Sequence, residues 1–346
     1  MVMGGSLPET SDAGHVSPLT RQFIHDASEQ PVIHKGLSHR VFEELISRVA
    51  GIPRVPTAVV WPREAHALEG ALAAAKYGLI HPVLVGRATE IREVAKNAGL
   101  DLADSEIADV ADDVDAAAKA VSMAREGRVQ SVMKGSLHTD ILMRAVVSAE
   151  GGLRTERRIS HVFLLAAPRY DDLLFVTDAA INIFPDLDTK RDITQNAIDL
   201  HTGLGLGAPR VAILSAVEII NSKIPSTVDA ACLCKMAERG QITGGVLEGP
   251  LAMDNAIDPE AARIKGIESP VAGRAQILVV PDLEAGNMLA KNLIFMGGAT
   301  SAGIVLGARV PVILTSRADS IQDRVISAAI GALYGWHVAS QKQDTQ

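Results

Sequence analysis

A hydroxyl and a guanidinium stand side by side near the end of the chain, in the segment LTSRADSIQD, residues 314–323. Ser316 and Arg317 follow a predicted strand, and Asp323 lies at the start of the helix predicted next. A carboxylate can accept a proton, a guanidinium matches the paired oxygens of a phosphate, and a hydroxyl can hydrogen-bond a reacting group. Ser320 and Asp323 also have the Ser-x-x-Asp spacing of a helix capping box. Asp323 is therefore a candidate for a catalytic role and for a structural one.

A second candidate segment is MKGSLHTDILMR, residues 133–144. It places Lys134 and Ser136 at the carboxyl end of a predicted strand, just before a helix that carries Thr139 and Arg144. In an open parallel sheet, ligands bind at that end of the strands, and a helix start offers N–H groups to an anion. Arg144 is eight residues beyond Ser136 and is predicted to lie on roughly the same face. The structural alternative is a capped helix with exposed Lys134 and Arg144.

Other polar residues follow predicted strands and could converge in one cleft, although each alone is more often a turn former or a cap. They are Asp178, Asn182, Glu248 and Asp282. Three arginines, Arg154, Arg157 and Arg158, form either a solvated basic turn or a patch for the phosphates of a nucleotide-like ligand.

Several common sites have no matching pattern in the sequence. There is no Walker A frame, no paired-ligand spacing for a metal and no Gly-x-Ser-x-Gly elbow. The glycines of TGLGLGAPR, residues 202–210, come after a predicted helix and before a strand, the reverse of a dinucleotide-binding loop, so they predict a helix stop.

Composition narrows the class of protein. The chain has 346 residues, 47% hydrophobic and only 3% aromatic, with a net charge of −8. Aliphatic residues therefore build the core, as in layered α/β proteins, and the charge and the scarcity of aromatics argue against nonspecific nucleic-acid binding. Cys232 and Cys234 lie two apart in a predicted helix and are expected to be reduced packing residues, which suits a cytoplasmic protein. No secretory signal or membrane-spanning run is found.

Short β-branched runs alternate with amphipathic stretches and predict a mostly parallel α/β sheet with right-handed crossovers. The rhythm changes where two strands, residues 159–167 and 172–176, leave no room for a helix between them and must form an antiparallel hairpin. We interpret this change as a domain boundary. The expected organisation is a tail of residues 1–30, a first α/β domain of residues 31–155 plus 304–346, and a second of residues 156–303.

Four further segments resemble the phosphate acetyl/butyryltransferase family. They are VTDAAINIFPDL, GPLAMDNAI, SPVAGRAQILVVPDLEAGNML and VPVILTSRADS. The resemblance runs from about Thr57 to the end of the terminal helix and is dense over residues 152–320. It implies a two-domain α/β fold similar to the isocitrate and isopropylmalate dehydrogenases, with mostly parallel sheets, an active-site cleft between the domains and a homodimeric assembly.

The resemblance also implies the reaction acyl-CoA + phosphate = acyl phosphate + CoA, with coenzyme A as co-substrate and no permanently bound cofactor or metal. Its catalytic Ser-Arg, with Asp six residues after the Arg, falls on Ser316, Arg317 and Asp323. A functional arginine of the acetyl enzymes matches Arg144. Ala318 and Asp319 stand where those enzymes often have Gly and Cys, and this departure leaves the acyl-chain preference open. Acetyl is the expected acyl group, with butyryl as the alternative.

Two other functions stay open at the level of sequence. One is a metal- and NAD-dependent dehydrogenase of the isopropylmalate type on the same fold, which would require clustered aspartates. The other is a non-catalytic relative that binds CoA or an acyl phosphate. Direct displacement in a ternary complex, with Asp323 as the thiol base, is the mechanism expected for the transferase.

Overall fold

A single sheet forms the centre of the protein. The computed structural model describes residues 37–102, 105–316 and 319–343. The strands of the described chain are β1 (Val55–Val60), β2 (Ile80–Gly86), β3 (Glu106–Asp109), β4 (Ser131–Lys134), β5 (Ser160–Ala166), β6 (Leu174–Thr177), β7 (Arg210–Leu214), β8 (Val246–Leu251), β9 (Ile277–Val279), β10 (Thr300–Leu306) and β11 (Val312–Ile313). They make one 11-stranded sheet in the order β3-β2-β1-β4-β11-β10-β5-β6-β9-β7-β8.

Helices connect most of these strands. In the same residues they are α1 (Leu37–Val49), α2 (Ala65–Lys76), α3 (Ala88–Ala98), α4 (Asp113–Arg125), α5 (Thr139–Val146), α6 (Leu187–Gly203), α7 (Pro225–Glu238), α8 (Met253–Ile257), α9 (Pro259–Ile264), α10 (Leu283–Phe295) and α11 (Ile321–Gln343). The structure is thus a mixed α/β fold around a large, mostly parallel sheet, which confirms the predicted class at that level. No helix among these residues is long and apolar enough to cross a bilayer.

Helices cover both faces of the sheet. Successive residues of a strand point to opposite faces, so neighbouring strand residues pack against different helices. Val59 packs with Leu68 of α2 and Val325 of α11 on one face. Its neighbour Val60 packs with Leu142 of α5 on the other. This two-sided burial explains why the strands read as continuous aliphatic runs and not as alternating ones.

The predicted hairpin is confirmed. Strands β5 and β6 pair antiparallel, with Val162 opposite Thr177 and Leu165 opposite Leu174. Strand β10 is antiparallel to both of its neighbours, β11 and β5. The chain direction therefore reverses between the two halves of the sheet, so β6, β9, β7 and β8 run opposite to β1, β4 and β11.

The predicted helix stop and the predicted cysteine-bearing helix are also found. Helix α6 ends at Gly203, and Gly205 and Gly207 follow in the left-handed region with φ of 71° and 81°.

Cys232 and Cys234 both lie in α7 and are free thiols. Burial raises the pKa of the Cys234 thiol to about 12, with Glu248 and Glu238 adding to the shift.

A buried histidine makes stability depend on pH. His161 of β5 is 1% exposed, its ring lies edge-on to Phe163, and its Nδ1 has no hydrogen-bond partner among the described residues. Burial lowers its pKa from 6.5 to about 3. The folded protein therefore holds the neutral ring, whereas the unfolded chain takes up a proton below about pH 6.5. Stability from this group is complete above that pH and is lost as the pH falls toward 3.

We predict that the free energy of unfolding falls by about 2 kcal/mol between pH 7 and pH 5 through His161 alone. Urea unfolding of wild type and His161→Leu at both pH values measures this contribution. The variant should lack it, while His81→Gln, a change at an exposed histidine of β2, should retain it. Equal pH dependence in wild type and His161→Leu would contradict the assignment.

Candidate active site

The ends of three strands meet at one edge of the sheet. Strand β4 lies between β1 and β11 and is parallel to both, with Val60 opposite Lys134 and Ile313 opposite Met133. Parallel pairing puts the carboxyl ends of all three strands together. The two candidate segments of the sequence, which follow β4 and β11, are therefore neighbours.

The turn after β4 is fixed against β1. Gly135 N–H donates to Val60 O at 2.9 Å, and Ser136 N–H donates to Trp61 O at 2.9 Å. A Cβ on residue 135 would lie 2.3 Å from Val60 O, so only glycine fits there. The buried Ser136 hydroxyl accepts a hydrogen bond from Glu64 N–H at 3.1 Å. The N–H groups of this turn are thus occupied, and an anion would meet the first turn of α5 instead.

Lys134 places a positive charge beside the carboxyl ends of β4 and β11. It is 4% exposed, and its Nζ lies 3.5 Å from both Gly135 O and Thr315 O. The side chain therefore bridges the end of β4 and the end of β11. A cation held this far from water favours an anion or a carboxylate close by.

Thr139 and Arg144 lie at the two ends of α5, and both are exposed. The Arg144 side chain is 83% exposed and lies 3.9 Å from Asp140, a weak surface pair. The expectation that Arg144 shares a helix face with Ser136 is wrong. Helix α5 begins only at Thr139, so Ser136 lies before it and helical periodicity does not apply to that pair.

Ser316 is exposed, yet both of its backbone groups are held. Its N–H donates to Asp319 Oδ2 at 2.6 Å, and its carbonyl accepts from Arg324 Nη2 at 2.8 Å. Arg317, the predicted neighbour in catalysis, lies outside the described residues.

Asp323 forms the predicted capping box at the start of α11. Its Oδ2 accepts from Ser320 N–H at 3.0 Å and from Ser320 Oγ at 2.7 Å, and Asp323 N–H donates to Ser320 Oγ at 3.1 Å. Oδ1 accepts one long hydrogen bond, 3.4 Å, from Ser301 N–H of β10. The structural role of Asp323 is confirmed, and its catalytic role stays a prediction.

Two further charged residues complete the site, and sequence reasoning gave neither of them a role. Asp319 is half-buried; burial raises its pKa, the hydrogen bond from Ser316 opposes that shift, Asp323 adds to it, and Arg324 and Lys134 oppose it. The Asp319 carbonyl accepts from His66 Nε2 at 2.6 Å. Arg324 is 3% exposed and reaches back to the end of β11. The only signal in the sequence was their position directly beside the Ser-Arg and Asp motif.

The other polar residues at strand ends do not join this site. Three successive antiparallel pairings, β11 with β10, β10 with β5 and β5 with β6, reverse the net strand direction. The carboxyl ends of β6, β8 and β9 therefore lie at the opposite edge. Burial raises the pKa of Asp178, and hydrogen bonds from the turn that follows oppose the shift. Asn182 also binds Asp178, Asp282 caps α10, and Glu248 accepts from the next backbone N–H. The interpretation as turn formers and caps is confirmed.

The three arginines near residue 155 are exposed, which favours the solvated basic turn. Arg157 pairs with Asp199 of α6, and Arg158 N–H donates to Asp192 at 3.0 Å. Within the residues that the structure describes, no group of three or more His, Cys, Asp or Glu side chains is placed to hold a metal.

Comparisons with known proteins identify a family, related sequences and a similar fold. Residues 112–332 match the family described as Phosphate acetyl/butaryl transferase. A phosphate acetyltransferase of Rhizobium meliloti is 63% identical over 293 residues, covering 85% of this chain and 93% of that protein. A phosphate butyryltransferase of Clostridium beijerinckii is 41% identical over 292 residues, covering 84% and 97%. The crystal structure of a phosphotransacetylase from Streptococcus pyogenes shares the fold, with a TM-score of 0.74, 23% identity and coverage of 86% and 98%.

Proposed function

This chain belongs to the Phosphate acetyl/butaryl transferase family, and we propose that it transfers an acyl group between coenzyme A and inorganic phosphate. The acyl group is acetyl, with butyryl as the alternative, because the chain is 63% identical to a phosphate acetyltransferase and 41% identical to a phosphate butyryltransferase. The observation that carries this function is the meeting of Ser316, Asp323 and the buried Lys134 at one sheet edge. CoA is a co-substrate, and no cofactor is permanently bound.

The chemistry is one direct displacement, since a thioester and an acyl phosphate are both activated acyl groups. Toward acyl-CoA, the CoA thiol loses its proton to Asp323 and its sulfur bonds to the acyl carbon. The bond from that carbon to the phosphate oxygen then breaks, and phosphate leaves with the electron pair. Ser316 hydrogen-bonds the thiol or the carbonyl oxygen that becomes an oxyanion, a contact worth about 1–3 kcal/mol if it is desolvated. Arg317 binds the phosphoryl oxygens.

Asp323 can cap α11 and take a proton in the same fold. A carboxylate has about four lone-pair sites. Oδ2 accepts two hydrogen bonds from Ser320, whereas Oδ1 accepts one long hydrogen bond from Ser301. Oδ1 is therefore the oxygen assigned to the thiol proton, and the capping box fixes the orientation of the carboxylate.

The segment from β4 into α5 binds the phosphate or acyl phosphate. Lys134 supplies a buried positive charge, Ser136 and Thr139 flank the turn before α5, and Arg144 supplies an accessible guanidinium at its end. The N–H groups at the start of α5 favour an anion, which supports this placement.

The chain has two domains, as in the isocitrate and isopropylmalate dehydrogenases. The first consists of residues 31–155 plus 304–346, the second of residues 156–303, and the active-site cleft lies between them. The chain works as a homodimer in the cytoplasm. Large apolar side chains that are exposed in the second domain support the homodimer. They include Ile219, Ile220, Phe295 and Met296. The free cysteines are compatible with a reducing compartment.

The test is phosphate-dependent release of the CoA thiol from acetyl-, propionyl- and butyryl-CoA in the presence of excess EDTA and without NAD. We predict turnover with acetyl-CoA that chelation leaves unchanged. Loss of turnover in EDTA, restored by a divalent ion, would favour the metal-dependent alternative. Binding of CoA without any turnover would favour a non-catalytic relative.

A further inference from the structure

We propose that Arg324 is a positioning residue whose guanidinium holds the backbone of Ser316 and so fixes where the Ser316 hydroxyl stands in the site. This role rests on the proposed acyltransferase function. Arg324 belongs to the first turn of α11 and is 3% exposed. It contacts the strand end that carries Ser316 and need not touch a substrate itself.

The contacts of Arg324 converge on two consecutive residues. Nη2 donates to the Ser316 carbonyl at 2.8 Å, and Nη1 donates to Thr315 Oγ1 at 2.8 Å. The Ser316 N–H donates in turn to Asp319 Oδ2 at 2.6 Å. The backbone of Ser316 is therefore held on one side by a cation and on the other by a carboxylate, although its side chain is exposed.

The state of this guanidinium argues against a role in stability alone. Among the described residues it forms no salt bridge within 4 Å, and its buried Nε has no hydrogen-bond partner. Burial lowers the pKa of Arg324, while Asp319, Glu64 and Asp323 oppose the shift. A buried charge with an unpaired donor is less favourable than an apolar side chain of the same size. The buried Arg324 guanidinium is nevertheless present, and it donates a hydrogen bond to the Ser316 carbonyl.

Helix α2 leaves the space for the arginine. A Cβ on Gly70 would lie 2.7 Å from Arg324 Cδ and 3.1 Å from Arg324 Cβ. Glycine is unfavourable inside a helix relative to alanine. Its presence in the middle of α2 is explained by the stem of Arg324, which passes directly over it, so Gly70 offers a second way to displace the guanidinium.

The experiment compares kcat and KM for acetyl-CoA and phosphate in wild type, Arg324→Gln, Arg324→Lys and Gly70→Ala. Arg324→Gln should lower kcat by about 10²-fold with little change in either KM, because a displacement of about 1 Å in a catalytic group has that effect. Arg324→Lys should recover part of the loss, since one ammonium can hold one of the two partners. Gly70→Ala should lower kcat by about tenfold and should stay folded, because the gain in helix propensity offsets part of the cost of the clash with the arginine stem.

The matched control is Lys190→Met, which removes another buried cation, paired with Asp229 at 2.7 Å and outside the site. It should lose stability and keep the wild-type kcat. A kcat of folded Arg324→Gln within twofold of that control would overturn the proposal. If Arg324→Gln does not fold, an unchanged kcat in Gly70→Ala overturns it instead. A raised KM for phosphate with normal kcat would show that Arg324 binds phosphate directly and would also overturn it. An inactive wild type would contradict the proposed function and not this role.

Discussion

Asp323→Asn should leave the protein folded and lower kcat for acyl-CoA synthesis by about 10²–10⁴, the usual contribution of general acid–base catalysis. Asparagine keeps the shape of the side chain and an oxygen that can accept from Ser320 N–H, so the capping box at the start of α11 largely survives. It cannot take the thiol proton. Steady-state kinetics with acetyl phosphate and CoA, together with thermal unfolding, separate the two roles.

A matched control is available in Asp112, the exposed N-cap of α4, which accepts from Asp115 N–H at 2.8 Å. Asp112→Asn makes the same chemical change at a helix start and should leave kcat unchanged. If Asp323→Asn behaved like this control, Asp323 would have a structural role only, and the thiol would have no identified base.

The same variant should change the pH profile. The base works in its ionised form, so the wild-type rate should fall as the pH is lowered and the carboxylate takes up a proton. Asp323→Asn should lack this acid limb. A persisting limb in the variant would point to another acid, and the neighbouring Asp319, whose pKa burial raises, would be the first to replace.

Arg317→Ala and Arg144→Ala should each raise the KM for phosphate or lower kcat, giving a loss in kcat/KM of about 10- to 150-fold. A charge-assisted contact is worth about 1.5–3 kcal/mol. Lysine at either position should cost less, because it keeps the charge but not the paired geometry. The effect at Arg144 is expected at the lower end, since its side chain is 83% exposed and water screens an exposed charge.

The control for both is Arg263→Ala. Arg263 is an exposed arginine that pairs with Glu260 on α9, a helix of the second domain. It removes a surface guanidinium without touching the site and should leave kcat/KM unchanged. Normal turnover by Arg317→Ala at low phosphate would remove that residue from the phosphate site.

The sequence was informative wherever a local rule decides the structure. The short link between residues 167 and 172 permits only a hairpin, and the antiparallel pairing of β5 with β6 confirms it. The Ser-x-x-Asp spacing at residues 320–323 predicts a capping box that the structure contains. Both features depend on residues a few positions apart, so the chain itself limits the possible conformations.

What depends on packing between distant segments could not be read in the same way. The role of Arg324 follows from the space over Gly70, which is 254 positions earlier in the chain. The separation of Asp178 from Ser316 follows from the direction of β10 and the hairpin, which no single motif encodes. Helical periodicity placed Arg144 on a face with Ser136, but the helix begins later because Gly135 and Ser136 are bound to the end of β1.

Exchange of ³²P-labelled phosphate into acetyl phosphate tests the central claim most directly, because direct displacement requires CoA for every exchange event. We predict rapid exchange when a trace of CoA is present and none when CoA is left out, in wild type. Asp323→Asn should show almost none in either condition. Exchange without CoA would reveal a covalent acyl-enzyme, and absence of exchange with CoA would contradict phosphate acyl transfer by this site altogether.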